Sequence, residues 1–349
     1  MKVKRFPENP LITPNDVQPS REDFEVVCVF NAGAIRYQDE ILLLLRVAER
    51  PKTGDPLIVP VPILNLESSG DIDIFELSRE DPEFDFSDTR IVVGRKKAYL
   101  TSISHLRLAR SKDGRNFTID TEPAIFPNCA TEAYGVEDPR ITELDGTYYI
   151  VYKSVAPDGI TQSLATTKDF KTYEKHGVIF APENMDAMIF PDKVQGKYVA
   201  LHRPVPHMIG EPNMWIAYSP DALHWGGHKY LAGVMTGGWE SGRIGGGAVP
   251  FMTEQGWLEI YHGATPDHKY SLGAMLLDAD KPERVIARSA KPILEPEMSY
   301  EVDGFVPNVV FTCGVIVDGD KLTIYYGGAD TVIAGAELSV AEILSHLKS

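Results

Sequence analysis

The sequence predicts an all-β chain, a five-bladed β-propeller with a short C-terminal helix, on three observations. Five segments share the form of a turn followed by an aromatic or aliphatic strand, at residues 39–46, 146–153, 196–203, 256–263 and 320–327. The last four begin 50, 60 and 64 residues apart, and several are followed by a second strand ending in a small-residue and Asp turn, at 106–114, 163–169 and 214–221. Helix signals are scarce by comparison. Strands bounded by Gly, Pro, Asn and Asp at such a period indicate radial repetition of small antiparallel sheets, which leaves only short, protected edges.

In chain order, the first repeat carries Leu42 to Leu45 and ends at Arg46, and an insertion from about 51 to 97 interrupts it. Within the insertion, residues 71–88 hold eight carboxylates and one arginine, the composition of a solvated loop. The second repeat follows Tyr134-Gly135-Val136-Glu137-Asp138-Pro139-Arg140, a loop running into a strand at 141–144. The third ends in His202 and Arg203, the fourth in Tyr261 and His262, and Asp330 follows the fifth. Trp215, Trp225, Trp239 and Trp257 stand in strand-like contexts and read as blade core. Ser339 and Glu342 form a capping-box pattern before Ile343, Leu344 and Leu347, the clearest helix signal. The whole chain, 1–349, is expected to be a single propeller domain.

Composition excludes several classes. With 349 residues, 43% hydrophobic and 24% charged, the chain has the balance of a soluble globular protein. No apolar run approaches the ~20 residues that span a bilayer, so no membrane association is expected. The basic N-terminus has no apolar stretch behind it, so a secretory signal is not expected and a cytoplasmic location is. A net charge of −16 repels a phosphate backbone, which argues against a nucleic-acid partner. Cys28, Cys129 and Cys313 are odd in number and far apart, so they read as buried thiols rather than as a disulfide framework or a zinc site. No metal-ligand spacing is evident.

In a propeller, polar residues at equivalent positions of different repeats meet near the axis. Asn31, Arg46, Asp138, His202, Arg203, Tyr261, His262 and Asp330 occupy such positions, at what read as inner-strand ends. Glu137 and Asp138 are adjacent, and neighbours on an extended chain point to opposite faces, so at most one is expected to enter the pocket as an acid. His202 and His262 taken singly read as core histidines. Arg243 lies among glycines that permit close approach to a ligand. The stretch 242–247 lacks the spacing of a phosphate-binding glycine loop, and no helix pattern follows it.

The series Asn31-Ala32-Gly33, Leu44-Leu45-Arg46, Gly135 to Arg140, Phe190-Pro191-Asp192-Lys193, His202-Arg203-Pro204, Trp239 to Gly245, Tyr261-His262-Gly263 and Tyr325 to Asp330 resembles glycoside hydrolase family 130, the β-mannoside phosphorylases and related β-mannosidases. The match runs in order through nearly the whole chain. The resemblance implies a five-bladed propeller, and inverting phosphorolysis of a β-mannoside to α-mannose 1-phosphate and a shortened acceptor. The linkage is expected to be β-1,2, in mannobiose or oligomannan, with β-1,4 as the competing choice. Asp138 matches the general acid, thought to act through a substrate hydroxyl, and Glu137 would be structural. Asn31, Arg46, Tyr134 and Asp330 match mannosyl-binding positions; Arg203, Arg243, His262 and Tyr270 match phosphate-binding ones. Inorganic phosphate is the expected co-substrate, with no cofactor. Met185 stands where many phosphorylases carry another Arg or Lys. That departure leaves a hydrolase as the alternative, with Glu240 as the carboxylate to activate water. A catalytically silent carbohydrate-binding propeller is the reading from a different class. The insertion could shape the acceptor side or a subunit contact in a homo-oligomer.

Overall fold

The computed structural model describes residues 2–67 and 71–347. Strands dominate, as the sequence predicts, and they pair almost wholly antiparallel. Phe24–Tyr37, Glu40–Pro51 and Ile103–Ser111 pair in that order, with Thr118–Ile119 at the edge. Gly135–Leu144, Thr147–Ala156, Gly159–Thr167 and Glu174–Phe180 form the next meander, touching the first through one parallel pair, Gly135 with Ser104. Asn184–Ile189, Tyr198–Pro204, Met214–Ser219 and Gly226–Ala232 follow in order. Next come Arg243–Gly245, Gly256–Ala264, Tyr270–Leu277 and Val285–Arg288, with Phe251–Thr253 also on Gly256–Ala264. Val310–Asp318, Lys321–Gly328 and Val332–Ser339 are completed by the N-terminal strand Lys4–Arg5, which pairs with Val332–Ser339 and ties the two ends of the chain into one sheet.

The five segments read from the sequence are the second strand of each group, each flanked on both sides. That position explains their composition. In Glu40–Pro51 the leucines alternate between two cores: Leu42 and Leu44 pack with Leu106, Ile150 and Tyr152, while Leu43 and Leu45 pack with Val29, Ile316 and Tyr325. A strand covered on both faces by neighbouring sheets reads as an unbroken apolar run rather than an alternating one. Of the four tryptophans read as core only Trp257 is buried, against Phe190 with ring centroids 5.0 Å apart; Trp215, Trp225 and Trp239 are half-buried.

The expectation that these segments are the inner strands is corrected. The first strands of the groups, Phe24–Tyr37, Gly135–Leu144, Asn184–Ile189 and Val310–Asp318, pack against one another and are innermost. Close approach there needs small residues: a Cβ on Gly33 would stand 2.6 Å from the Pro139 carbonyl oxygen. These four strands also share a register shift, at Phe30/Gly33, Glu137/Arg140, Met185/Met188 and Thr312/Gly314. In three of them the bulge holds a residue with left-handed backbone: Asn31 (φ 49°), Asp138 (φ 48°) and Asp186 (φ 55°). Asn and Asp tolerate this conformation better than other non-glycine residues, and a bulge re-aims the side chain it carries.

The insertion is not the solvated loop its acidic composition suggested. Ile58–Asn65 and Asp71–Ser78 form a hairpin, and Phe84–Asp85, Ile91–Gly94 and Ala98–Leu100 form a three-stranded sheet. The acids alternate with residues such as Ile72, which is buried against Phe24 and Ile103. The C-terminal helix is Val340–His346; Ser339 Oγ accepts from Glu342 N at 3.1 Å, but the Glu342 carboxylate accepts from Lys2 N, so only half of the expected box forms. Cys28 and Cys313 are buried, whereas Cys129 is half-buried, and all three are free. Among the described residues no helix is long and apolar enough to cross a membrane.

Candidate active site

The bulged first strands and the ends of the second strands open onto one cavity of about 330 Å³. Asn31, Arg46, Asp138, Arg203, Arg243, His262, Tyr270 and Asp330 all line it, drawn together from across the chain. Tyr134 does not, a correction: its ring is buried and its hydroxyl donates to the Ala98 carbonyl at 3.1 Å, because the residue precedes the strand and faces the insertion. His202 is the core histidine its context suggested. It stacks on Phe180 at 4.5 Å and its ring nitrogens meet Asn184 and His228, and burial pushes its pKa down to about 3. Tyr261 and Glu240 are bonded to each other at 2.7 Å, and Glu240 also meets Arg288 at 2.6 Å, away from the cavity lining.

Two charged clusters line the cavity. In the first, Asp138 Oδ1 accepts from Asn31 Nδ2 at 3.0 Å and Arg46 Nη1 at 3.1 Å, and Oδ2 from Lys153 Nζ at 2.9 Å. Glu137 takes Arg46 Nη2 at 2.7 Å and Lys153 Nζ at 2.6 Å. Both carboxylates therefore share one pair of cations and both line the cavity, against the expectation from strand alternation. The cause is the left-handed turn at Asp138, which swings its side chain to the face Glu137 already uses. Burial would raise the Asp138 pKa, but Lys153, Arg46 and Arg140 outweigh it and hold the carboxyl well below the usual range.

The second cluster centres on Asp186, whose Oδ2 accepts from Arg203 Nε at 2.7 Å and stands 3.6 Å from His262 Nε2. Burial opposes its ionisation, yet Arg203, His262 and Arg140 keep its pKa below the ordinary value. Burial pushes His262 down to about 3 despite Asp186, so the imidazole is neutral near pH 7. Arg243 Nη1 donates to the Tyr270 hydroxyl at 2.9 Å, and its Nη2 lies 3.3 Å from His268 Nδ1. Met185 lines the cavity with its sulfur 3.2 Å from Arg203 Nη2, a soft acceptor on that guanidinium. A Cβ on Gly245 would collide with the Asp186 carboxylate and the His262 ring, so the glycine among Arg243's neighbours makes room for this cluster. Arg140, wholly buried, joins the two: Nη1 donates to the Asp138 carbonyl at 3.2 Å and Nη2 to Asp186 Oδ1 at 3.3 Å.

Asp330 stands apart from both. Its carboxylate makes no hydrogen bond among the described residues; burial and the Asp138 charge raise its pKa to about 6 against the pull of Arg46, Arg90 and Lys153. Asn31 Oδ1 and His262 Nδ1 are also buried without a partner among the described residues. Unmet polar groups in a cavity wall are what a sugar hydroxyl or a phosphate would satisfy.

Sequence reasoning missed Lys153, Asp186 and Arg90. Lys153 closes the second repeat segment, and a lysine at the end of an apolar second strand was its signal. Asp186 announced itself by the same pattern as Asn31 and Asp138, an Asn or Asp inside a strand-forming run. Arg90 had no such signal, being one of six basic residues scattered through the insertion. Among the described residues no group of three or more His, Cys, Asp or Glu is placed to hold a metal ion.

A family model described as β-1,4-mannooligosaccharide phosphorylase, glycoside hydrolase family 130, matches residues 87–349. A β-1,2-mannobiose phosphorylase of Listeria innocua is 47% identical across 100% of this chain and 99% of that protein. A 1,2-β-oligomannan phosphorylase of a Thermoanaerobacter species is 43% identical across 72% of this chain and 84% of its own length. The solved complex of the Listeria innocua enzyme with β-1,2-mannobiose superposes with a TM-score of 0.98 over 100% of this chain and 99% of that one. The motif series, the bulged strands that bring it to one cavity and the full-length likeness agree: this chain belongs to glycoside hydrolase family 130.

Proposed function

We propose that the protein is an inverting phosphorylase of β-1,2-linked mannosides, turning mannobiose or oligomannan and inorganic phosphate into α-mannose 1-phosphate and a shortened acceptor. The observation that carries this reading is the pairing, in one cavity, of a carboxylate cluster at Asp138 with the cations Arg203 and Arg243. The full-length likeness to a β-1,2-mannobiose phosphorylase supports the linkage. Asp138 is the general acid, passing its proton by way of a substrate hydroxyl to the glycosidic oxygen as the C1–O bond breaks. A phosphate oxygen, held by Arg203, Arg243, His262 and Tyr270, forms the new bond to C1 from the opposite face. Asn31, Arg46 and Asp330 grip the mannosyl unit.

The surrounding cations hold Asp138 as an anion, the form that accepts a proton in the synthetic direction. For phosphorolysis it must be protonated. A phosphate dianion held on Arg203 and Arg243 in the same cavity adds negative charge near Asp138 and raises its proton affinity. Hydrolysis would require a second carboxylate about 6.5 to 9.5 Å from the acid to activate water. The Glu240 carboxylate, held by Tyr261 and Arg288 outside the cavity lining, does not favour that reading. The five antiparallel groups of strands, with the N-terminal strand closing the last, support a five-bladed propeller as the single domain. The free thiols suit a reducing cytoplasm.

Asp330 gives a pH signature. Its raised pKa means the free enzyme loses this charge as the pH falls through about 6. We expect kcat/KM for the mannoside to decline below that pH, and Asp330→Asn to lower kcat/KM and remove this inflection; a pH–rate profile of the two proteins checks it. The linkage is tested by supplying phosphate with β-1,2-mannobiose or β-1,4-mannobiose. Turnover of the first and not the second is expected; the reverse result overturns the assignment of linkage.

A further inference from the structure

The insertion and the residues just after it reach the site. Asp88, Arg90, Ile91, Leu100 and Ser102 line the same cavity as Arg243 and Tyr270. The Arg90 side chain is 46% exposed, but its backbone is held: its carbonyl oxygen accepts from Thr101 N at 3.0 Å, and the Thr101 hydroxyl donates to the Thr89 carbonyl at 2.7 Å. One edge of its guanidinium is fixed by Asp88, with Nε 3.0 Å from Oδ1 and Nη2 2.7 Å from Oδ2. Its Nη1 makes no hydrogen bond among the described residues. The hydrogen bonds to Asp88, and then the charges of Asp330 and Tyr270, raise the proton affinity of Arg90, and the Asp88–Arg90 pair shares the cavity lining with Arg243 and Tyr270.

The other cations of the cavity are largely committed. Arg46 and Lys153 serve Glu137 and Asp138, and Arg203 serves Asp186. Arg243 meets only the Tyr270 hydroxyl and the His268 ring. A dianion entering here finds one cation of the repeats not paired with a carboxylate, Arg243, which alone does not balance its two charges. An arginine with one edge anchored and the other open is suited to a phosphate oxygen, since the planar fork is oriented before the ligand arrives.

We propose that Arg90, carried on the insertion, is a specificity-determining residue that recognises the phosphoryl group of both inorganic phosphate and the sugar 1-phosphate, and not the acceptor sugar. This rests on the phosphorylase reading. In the full-length enzyme, Arg90→Gln is expected to raise KM for phosphate in phosphorolysis, and KM for α-mannose 1-phosphate in synthesis, by about ten- to a hundredfold, the loss of one charge-assisted hydrogen bond. KM for mannose as acceptor stays unchanged. Arg90→Lys keeps the charge but loses the two-point hold, and gives a smaller rise in the same two constants; it carries the test should the glutamine variant not fold. A phosphate KM equal to the parent's in both variants, or a rise in the acceptor's KM instead, overturns the assignment. The two readings fail separately: release of free mannose by the parent without phosphate removes the phosphorylase reading and the role of Arg90 with it, whereas a phosphate-dependent parent with a silent Arg90→Gln removes the role of Arg90 alone.

Discussion

Asp138→Asn should lower phosphorolytic turnover by about 10²- to 10⁴-fold, the usual contribution of a positioned general acid, while mannobiose binding persists. The substitution keeps size but turns one of two accepting oxygens into a donating NH2 and leaves no acidic proton near the glycosidic oxygen. It also removes one negative charge from a cluster where Arg46 and Lys153 face two carboxylates. Glu137 stays to hold both cations, so the fold should survive with a reduced Tm. Initial rates with saturating phosphate, alongside calorimetric titration with β-1,2-mannobiose, separate the two effects. Unchanged turnover would remove Asp138 from the chemistry; lost turnover with retained binding would dismiss a purely carbohydrate-binding module.

Arg243→Gln is expected to act on phosphate alone. One charge-assisted hydrogen bond is worth about 1.5 to 3 kcal/mol, so KM for phosphate should rise about ten- to a hundredfold. KM for α-mannose 1-phosphate in synthesis should rise by the same factor, and KM for mannose should not move. Arg243 is the better probe of this side than Arg203, whose bond to buried Asp186 would confound binding with folding. Arg243 instead lies over the Tyr270 ring at 5.7 Å and gives up no carboxylate partner. A variant with parental phosphate KM would place the phosphate elsewhere.

The strand repeat was legible because turn residues punctuate it and because second strands, covered on both faces, are strongly apolar. Their flanking strands carry weaker patterns, so the innermost layer went unread. The bulges were illegible for a physical reason: a register shift is a property of two paired strands, and one strand's sequence states only that Asn31, Asp138 and Asp186 could take left-handed backbone. Missing that turn made Glu137 and Asp138 seem to face apart, although they share Arg46 and Lys153. Most of the site was carried by the family motifs, yet a motif does not say where each side chain points, and Tyr134 faces Ala98 instead of the cavity. The insertion's strands were masked by its charge: along Asp71–Ser78 acids stand beside apolar residues that are themselves largely exposed, and only Ile72 is buried.

Phosphorus NMR of the enzyme with β-1,2-mannobiose, with and without inorganic phosphate, separates phosphorolysis from hydrolysis in one experiment. α-Mannose 1-phosphate is expected when phosphate is present and an intact disaccharide when it is absent. Free mannose released at the same rate in both samples would contradict phosphorolysis and make the enzyme a β-mannosidase.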